Sequence, residues 1–151
     1  MADPLVQAPY FEPDLTARLI PCAEAQLRVL EWNIRSKVPK ERRDDEPSIL
    51  AGGGTIFDPW FEEAERHIAA DLVKFTPPIH LSQVESTTQL RPLKAFKVAE
   101  LLFRMNAKES DDINDLRAKY FCEQYRNELA SVSIKMTDGA RTAGKTGIIR
   151  G

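Results

Sequence analysis

Apolar residues recur every three or four positions along much of the chain, which is the spacing of one face of an α-helix. The first such stripe consists of Leu15, Leu19, Ala23, Leu27, Leu30, Ile34 and Val38. Pro21 interrupts it, because a proline inside a helix removes a backbone donor and clashes with the preceding turn. The pattern predicts either a kinked helix or a short first helix followed by a longer one that has Pro21 in its first turn and ends at Pro39.

A second helix is predicted to begin at Asp58-Pro59. Asp58 can accept hydrogen bonds from the free amides of the first turn, and proline fits the first helical position. The inward stripe of this helix is Phe61, Ala64, Ile68, Leu72 and Phe75. Thr76-Pro77-Pro78 ends the helix. The polar residues 79–90 alternate weakly with apolar ones and predict a connector, with a short extended piece as the alternative.

Two further helices are predicted in the second half of the chain. The first opens at Pro92, and the few polar positions on it are Lys94, Lys97, Glu100 and Arg104. Its apolar positions are Leu93, Phe96, Ala99, Leu102 and Phe103, so it is predicted to be the central and most buried helix. Ser110 with Asp111 and Asp112 predicts the cap of the last helix. The stripe of that helix is Ile113, Leu116, Tyr120, Phe121, Tyr125 and Leu129.

Two segments lack a helical period. Residues 40–57 are charged and then Gly-rich, which predicts a long flexible loop. From Ser131 onward, small polar residues alternate with Val132, Ile134 and Met136, and glycines follow, which predicts an extended C-terminal arm over residues 131–151. The predicted fold is therefore all-α: a bundle of about four helices within residues 1–130, carrying that loop and that arm.

The composition narrows the functional classes. A chain of 151 residues with a net charge of -2 predicts one compact domain and argues against a protein that coats nucleic acid through a broad basic face. Cys22 and Cys122 form no CxxC motif, and His67 and His80 lack metal-ligand spacing, so neither a disulfide nor a metal site is predicted. The chain has no pattern of a signal peptide or a membrane span, and we expect it to fold in a cytoplasm.

No catalytic set of residues is visible, so we predict neither an enzyme nor a cofactor. The carboxylates Glu62, Glu63 and Glu65 are interpreted as a solvated helix face. Trp32 and Trp60 are interpreted as packing residues, because base-stacking platforms come interleaved with a basic groove.

The residues from Gly139 to Thr146 match a Walker A box, with Gly144, Lys145 and Thr146 at its end. A phosphate-binding loop of this kind needs a strand before it and a helix after it. Five residues follow Thr146, too few for that helix. A nucleotide-binding loop is therefore not predicted.

The C-terminal arm is cationic. It contains four basic residues, Lys135, Arg141, Lys145 and Arg150, and one acidic residue, Asp138. Its apolar residues lie near its two ends: Val132, Ile134 and Met136 at one, Ile148 and Ile149 at the other. Such a segment suits the addition of a strand or a plug to a partner surface, and a frayed terminus without a role is the alternative.

The order of these elements resembles the small adaptor, or head-completion, proteins of tailed bacteriophages. The resemblance covers residues 58–151 and rests on the helices LKAFKVAELLF and DDINDLRAKYFCEQYRNEL. The arm of that family is an apolar strand, an Asp-Gly turn, a polar stretch, a short apolar segment and a final arginine. It is matched by residues 131–136, Asp138-Gly139 and Ile148-Ile149-Arg150. Two features depart from the pattern: the long segment 40–55 and the basic stretch from Arg141 to Lys145.

The resemblance implies a virion structural protein of the neck, assembled in the host cytoplasm. It would form a ring, usually of twelve copies, that joins the portal protein to tail or head-completion proteins and extends the DNA channel. DNA would pass through without specific binding. The residues expected to bind the portal are Val132, Ile134, Met136, Arg141, Lys145, Ile148, Ile149 and Arg150. Trp60, Phe103 and Tyr120 are expected at the interface between subunits.

Two alternatives remain open. One is a small helical regulatory or nucleic-acid-binding module that uses the basic tail as its contact. The other is a nucleotide-binding enzyme, which would need the Walker-like segment to bind phosphate.

Overall fold

A computed structural model describes residues 20–43, 49–50, 54–139 and 141–143. This part of the chain is mostly helical and contains four α-helices of seven or more residues, which confirms the predicted all-α bundle. The helices are α1 (Glu24–Leu30), the single turn α2 (Lys40–Arg43), α3 (Asp58–Val73), α4 (Arg91–Asn106) and α5 (Ile113–Ser131). Three short 3₁₀ helices cover Ile34–Lys37, Leu81–Gln83 and Thr87–Leu90. Among these helices, none is both long and apolar enough to cross a membrane.

Helix α4 lies at the centre of the bundle, as its apolar composition predicts. It packs most extensively against α5 and also contacts α3 and α1. Its buried residues are Leu93, Lys94, Ala95, Lys97, Val98, Ala99, Glu100, Leu102 and Phe103. Three of these residues carry a charge, so three of the four predicted polar positions are buried together with the apolar ones, and Arg104 is exposed.

The first helix is shorter than predicted. Helix α1 ends at Leu30, and a turn leads into the 3₁₀ helix, although Leu27, Ile34 and Val38 all reach the core. Pro21 lies before α1 rather than in its first turn, and the side chain of Gln26 caps the start by accepting from the Ala23 amide at 2.7 Å. The stripe persists because the 3₁₀ turns keep the apolar positions on the inner side. Leu15 and Leu19 lie outside the described residues.

Helix α3 begins at Asp58, with Phe57 rather than Asp58 at the capping position. The Thr55 hydroxyl organises this start, because it accepts from the Phe57 amide at 3.2 Å and donates to Asp58 Oδ1 at 3.1 Å. All five residues of the predicted inward stripe are buried: Phe61, Ala64, Ile68, Leu72 and Phe75. Glu65 is buried too, at 3% exposure, so the prediction that it belongs to a solvated face is wrong.

The prediction of a flexible loop over residues 40–57 is wrong at both ends of that segment. Residues 40–43 form α2, and β1 (Ile49–Leu50) pairs antiparallel with β2 (Gly54–Thr55). Ile56 and Phe57 are buried in the core. Arg42 connects the two ends, since its Nε donates to the carbonyl of Ile56 at 3.1 Å. Residues 44–48 and 51–53 lie outside the described part.

The C-terminal arm begins inside the core. Strands β3 (Ser133–Lys135) and β4 (Arg141–Ala143) form an antiparallel hairpin, with Gly139 at a positive φ of 89° in the turn. Val132, Ile134 and Met136 are at most 9% exposed, so the expectation that these three side chains bind a partner is wrong. The alternation puts all three on one face, and that face meets Leu90, Leu93 and other residues of the bundle.

Backbone hydrogen bonds fix β3 to the connector between α3 and α4. The Lys135 carbonyl accepts from the Glu85 amide at 2.9 Å, and the Thr137 amide donates to the Gln83 carbonyl at 2.8 Å. The Gln89 side chain accepts from the Lys135 amide at 2.7 Å. The connector is therefore two 3₁₀ turns around Val84, which pairs with Met136 in an isolated bridge.

Candidate functional site

Helix α4 carries two buried lysines three residues apart. Lys94 is 2% exposed and Lys97 is 8% exposed, although the sequence places both among its polar positions. Each lysine bonds to a buried glutamate. The surroundings of these two ion pairs define the polar chemistry of the bundle interior.

The first pair holds the backbone of the N-terminal segment. Lys94 Nζ donates to Glu65 Oε2 at 2.9 Å and to the Ile20 carbonyl at 2.7 Å. Glu65 Oε2 also accepts from the Ile20 amide at 2.7 Å, so both backbone groups of one residue are bound. Arg91 Nε adds a bond to the Pro21 carbonyl at 3.2 Å. We name this arrangement the Ile20 clamp, formed by Lys94 and Glu65.

The buried state of the Ile20 clamp shifts the titration of nearby groups. Burial raises the pKa of Glu65 above its usual value of 4.5, against the lowering effect of its bonds to Lys94 and Ile20. The other carboxylate oxygen, Oε1, is buried and accepts no hydrogen bond from the residues that the structure describes. Burial also raises the pKa of the Cys22 thiol to about 11, so this thiol is held in its unreactive form.

The second pair belongs to a polar chain that crosses three helices. Lys97 Nζ donates to Glu100 Oε1 at 2.7 Å, and Arg104 Nη2 donates to Glu100 Oε2 at 3.0 Å. Lys97 Nζ also lies 4.3 Å from the ring centroid of Tyr125, within cation–π range. The Tyr125 hydroxyl donates to Asp71 Oδ2 at 2.6 Å. The chain therefore runs from α4 through α5 to α3.

These bonds set the protonation states of Glu100 and Tyr125. Burial acts to raise the pKa of Glu100, but the bonds and charges of Lys97 and Arg104 outweigh it, and the pKa lies below 4.5. Burial and the bond to Asp71 both raise the pKa of Tyr125 far above its usual value, so the phenol stays protonated and acts as a donor. Glu100 is therefore held ionised and Tyr125 neutral.

These polar side chains border a cleft of about 550 Å³ between α3, α4 and α5. Its polar lining is His67, Asp71, Lys97, Glu100, Tyr125, Arg126 and Asn127, and its less polar lining is Cys122, Leu129 and Ala130. We name it the α3–α5 cleft. Charged and apolar side chains both line it, as they do in many small-molecule sites. Within the residues described, no three His, Cys, Asp or Glu side chains are grouped to hold a metal ion.

The structure divides the predicted portal-binding residues into three groups. Val132, Ile134 and Met136 are core residues and are not accessible to a partner. Arg141 lies in β4. The remaining four, Lys145, Ile148, Ile149 and Arg150, lie outside the described residues.

The three residues predicted at the interface between subunits differ in their burial. Phe103 is 3% exposed and stacks on Phe121 with ring centroids 5.7 Å apart, so its placement on an outer surface is wrong. Its ring packs against Phe121 of α5. Trp60 is partly buried against the core, and Tyr120 is 47% exposed.

An exposed apolar stripe runs along the first half of α5. It comprises Ile113, Leu116 and Tyr120, which are 69%, 48% and 47% exposed, and we name it the α5 apolar stripe. Arg117, on the same helix, forms an ion pair with Glu31 at 2.9 Å, which places the end of α1 beside α5. Trp32 follows Glu31 and is 76% exposed, so the interpretation of Trp32 as a packing residue is wrong.

The Walker-like segment has a geometry different from that of a phosphate-binding loop. Gly139 occupies the hairpin turn, and residues 141–143, in the middle of the box, form strand β4. A phosphate loop would run from a strand into a helix instead. Gly144, Lys145 and Thr146 lie outside the described residues.

The α3–α5 cleft was not predicted from the sequence. The available signal was the pair Lys97 and Glu100 on an otherwise apolar helix, together with Tyr125 on an inward stripe. Family models, curated proteins and solved structures were compared with this chain, and none matches it.

Proposed function

We propose that this chain is a structural subunit of the neck of a tailed bacteriophage: an adaptor that assembles as a ring between the portal protein and the tail. The proposal rests on the resemblance of residues 58–151 to that family, and the all-α bundle with a C-terminal hairpin is consistent with it. The ring would extend the DNA channel. A near-neutral chain suits a conduit, because each phosphate that a protein neutralises adds affinity and slows passage.

The observation that carries the proposal is the anchored C-terminal hairpin. Val132, Ile134 and Met136 fix β3 to the bundle, and backbone bonds to residues 83–89 hold its direction. A contact segment that leaves a rigid base loses less conformational entropy on binding than one that leaves a free chain end. In this proposal residues 131–139 are the anchor, and the portal contacts are Arg141, Lys145, Ile148, Ile149 and Arg150.

The α5 apolar stripe is the proposed contact between neighbouring subunits. Its three side chains lie on one helix face, and Trp32 lies on the adjacent segment. Contiguous exposed apolar surface of this kind is typical of protein–protein contacts. Tyr120 keeps its predicted role here, Trp60 lies at the edge of the bundle, and Phe103 supports the stripe from inside.

The portal contact is tested by replacing residues 144–151 with a Gly/Ser segment of equal length. We expect the helical circular-dichroism signal to be unchanged and co-sedimentation with the portal protein of the same genome to be lost. Deleting all of 131–151 is not a suitable variant, because it removes three core residues. Retained portal binding, or a reading frame remote from portal and tail genes, would contradict the proposal.

The subunit contact is tested by Leu116→Glu, with Val73→Glu as the matched control. Val73 is 44% exposed on α3, close to the 48% of Leu116. We expect Leu116→Glu to prevent ring assembly on the portal, as seen in electron micrographs, and Val73→Glu to leave it intact. DNA affinity that falls steeply with salt would instead favour a nucleic-acid-binding module.

A further inference from the structure

Lys97 is a buried cation whose hydrogen-bonding capacity is only partly used. An ammonium group carries three N–H donors. Within the part of the chain that the structure describes, Lys97 Nζ makes one hydrogen bond, to Glu100 Oε1, and one cation–π contact, to Tyr125. The side chain lines the α3–α5 cleft. Burying an ammonium is unfavourable unless its donors are satisfied, so a further acceptor in the cleft would be stabilised there.

The carboxylates of the cleft are already balanced by cations outside it. Glu100 accepts from Arg104 as well as from Lys97, and Asp71 accepts from the Tyr125 hydroxyl and lies 3.6 Å from Lys74 Nζ. Neither Arg104 nor Lys74 lines the cleft. Each lining carboxylate therefore has a cationic partner outside the cleft, which leaves Lys97 and Arg126 as the cations of the lining that a negative ligand could contact.

Arg126 is a second cation in the lining of the cleft. It lies one residue after Tyr125 on α5, is exposed, and has no ion-pair partner among the described residues. Its guanidinium group can form a fork of two hydrogen bonds to one carboxylate. Lys97 from α4 and Arg126 from α5 thus offer one buried and one exposed cation to the same ligand.

The rest of the cleft sets the size and polarity of the ligand. A volume of about 550 Å³ lies within the range of small-molecule sites. Leu129, Ala130 and Tyr125 contribute apolar atoms to the lining. We propose that the α3–α5 cleft binds a small organic carboxylate, with the carboxylate on Lys97 and Arg126 and an apolar body against Leu129. This inference does not depend on the ring proposal.

The first experiment compares a carboxylate with its neutral counterpart. The full chain, labelled with ¹⁵N, is titrated with sodium benzoate and separately with benzamide, which has nearly the same shape and no charge. We expect saturable amide shifts at residues that line the cleft, and benzoate affinity about tenfold above that of benzamide, because charge-assisted hydrogen bonds are the stronger ones. Equal affinities, or no saturable shift up to about 50 mM benzoate, would overturn the proposal.

The second experiment assigns the contacts by mutation. We expect benzoate affinity to fall about tenfold in Lys97→Met and about threefold in Arg126→Ala, since both remove a charge-assisted bond. Lys119→Met is the control, because Lys119 lies on α5 but pairs with Asp111 and Asp115 away from the cleft.

The two variants are read together. If Lys97→Met does not fold, Arg126→Ala decides, because Arg126 is exposed, and unchanged affinity in that variant overturns the proposal. Inorganic phosphate is titrated in parallel. Tighter binding of phosphate than of benzoate would also overturn it, since the site would then select another class of anion.

Discussion

Lys94 and Lys97 are both buried, both charged and both bonded to a glutamate, yet their neighbours give them different roles. Lys94 reaches across to Glu65 on α3 and holds the backbone of Ile20. Lys97 bonds to Glu100 on its own helix, shares that glutamate with Arg104, and lines a cleft. The first lysine forms hydrogen bonds to separate segments of the chain, whereas the second forms its hydrogen bond within its own helix and lines a cleft.

The difference shows that burial alone does not fix the contribution of an ion pair to stability. Among the described residues, Glu65 has one cation within bonding distance, Lys94, and no second one that could replace it. Glu100 has two, so it keeps a partner if either is removed. Removing one member of a buried pair is costly mainly because it leaves the other charge without a partner.

The largest effect is expected from Lys94→Met. It leaves the Glu65 carboxylate buried without a cation and releases the Ile20 carbonyl, so the free energy of unfolding should fall by about 3–5 kcal/mol. Urea denaturation followed by circular dichroism measures the change. Adding Glu65→Gln to the variant should recover part of the loss, because a neutral amide costs less to bury. A loss no larger than that of Lys97→Met would remove the distinction between the two pairs.

The same substitution at the second site, Lys97→Met, is expected to lower the free energy of unfolding by about 1.5–3 kcal/mol, the range of a hydrogen bond to a charged group. The cost is smaller because Arg104 still neutralises Glu100, and methionine keeps the apolar stem of the lysine against Tyr125. The same urea experiment measures it. A loss that matches that of Lys94→Met would show that Arg104 does not protect Glu100.

A smaller effect is expected from Arg104→Ala. The Arg104 side chain is 49% exposed, so the free energy of unfolding should fall by about 0.2–1 kcal/mol, as for other exposed pairs. In the double variant with Lys97→Met the loss should exceed the sum of the two single losses, because Glu100 then has no cation. Strict additivity in this double-mutant cycle would contradict a shared role.

The smallest expected effect is the change that Glu65 and Glu100 make to the pH dependence of the free energy of unfolding. Glu65 has a raised pKa, so the folded state binds more protons than the unfolded state above pH 4.5, and its contribution to stability is lost as the pH rises through the folded pKa. Glu100 has a lowered pKa, so its contribution is present above pH 4.5 and is lost as the pH falls below that value.

The two glutamates can therefore be separated by denaturant unfolding between pH 3 and 7. Glu65→Gln should make stability rise more steeply, or fall less, as the pH increases above 4.5. Glu100→Gln should make stability fall less on acidification below 4.5. Profiles that change in the same direction in both variants would contradict the assigned shifts.

The main helices could be predicted from the sequence because local signals determine them. The stripe from Phe61 to Leu72 is buried as expected, and Asp112 caps α5 by accepting from the Asp115 amide at 2.7 Å. The Ile20 clamp was missed although a signal existed. Glu65 lies four residues after Phe61 and three before Ile68, on the inward stripe itself.

The cleft and the docked arm depend on the tertiary structure and could not be predicted locally. Alternation put Val132, Ile134 and Met136 on one face, as found, but it does not tell whether that face covers another molecule or the chain's own bundle. The answer depends on the apolar surface that α3 and α4 leave open near Leu90. In the same way, Lys97 is buried because other elements cover α4 on several sides, which no stripe on α4 alone reveals.

The docked hairpin also determines how mechanical tension would pass through the molecule. A pull on the C-terminal end would act first on the pairing of β4 with β3, and not on α5, the preceding helix in sequence. It would be carried across the bonds from Lys135 and Thr137 to Gln83, Glu85 and Gln89, and so into the start of the central helix. Because several hydrogen bonds would be loaded together, the force would be divided among them. The hairpin thus connects any partner bound at the C-terminal end to α4, the central helix of the subunit.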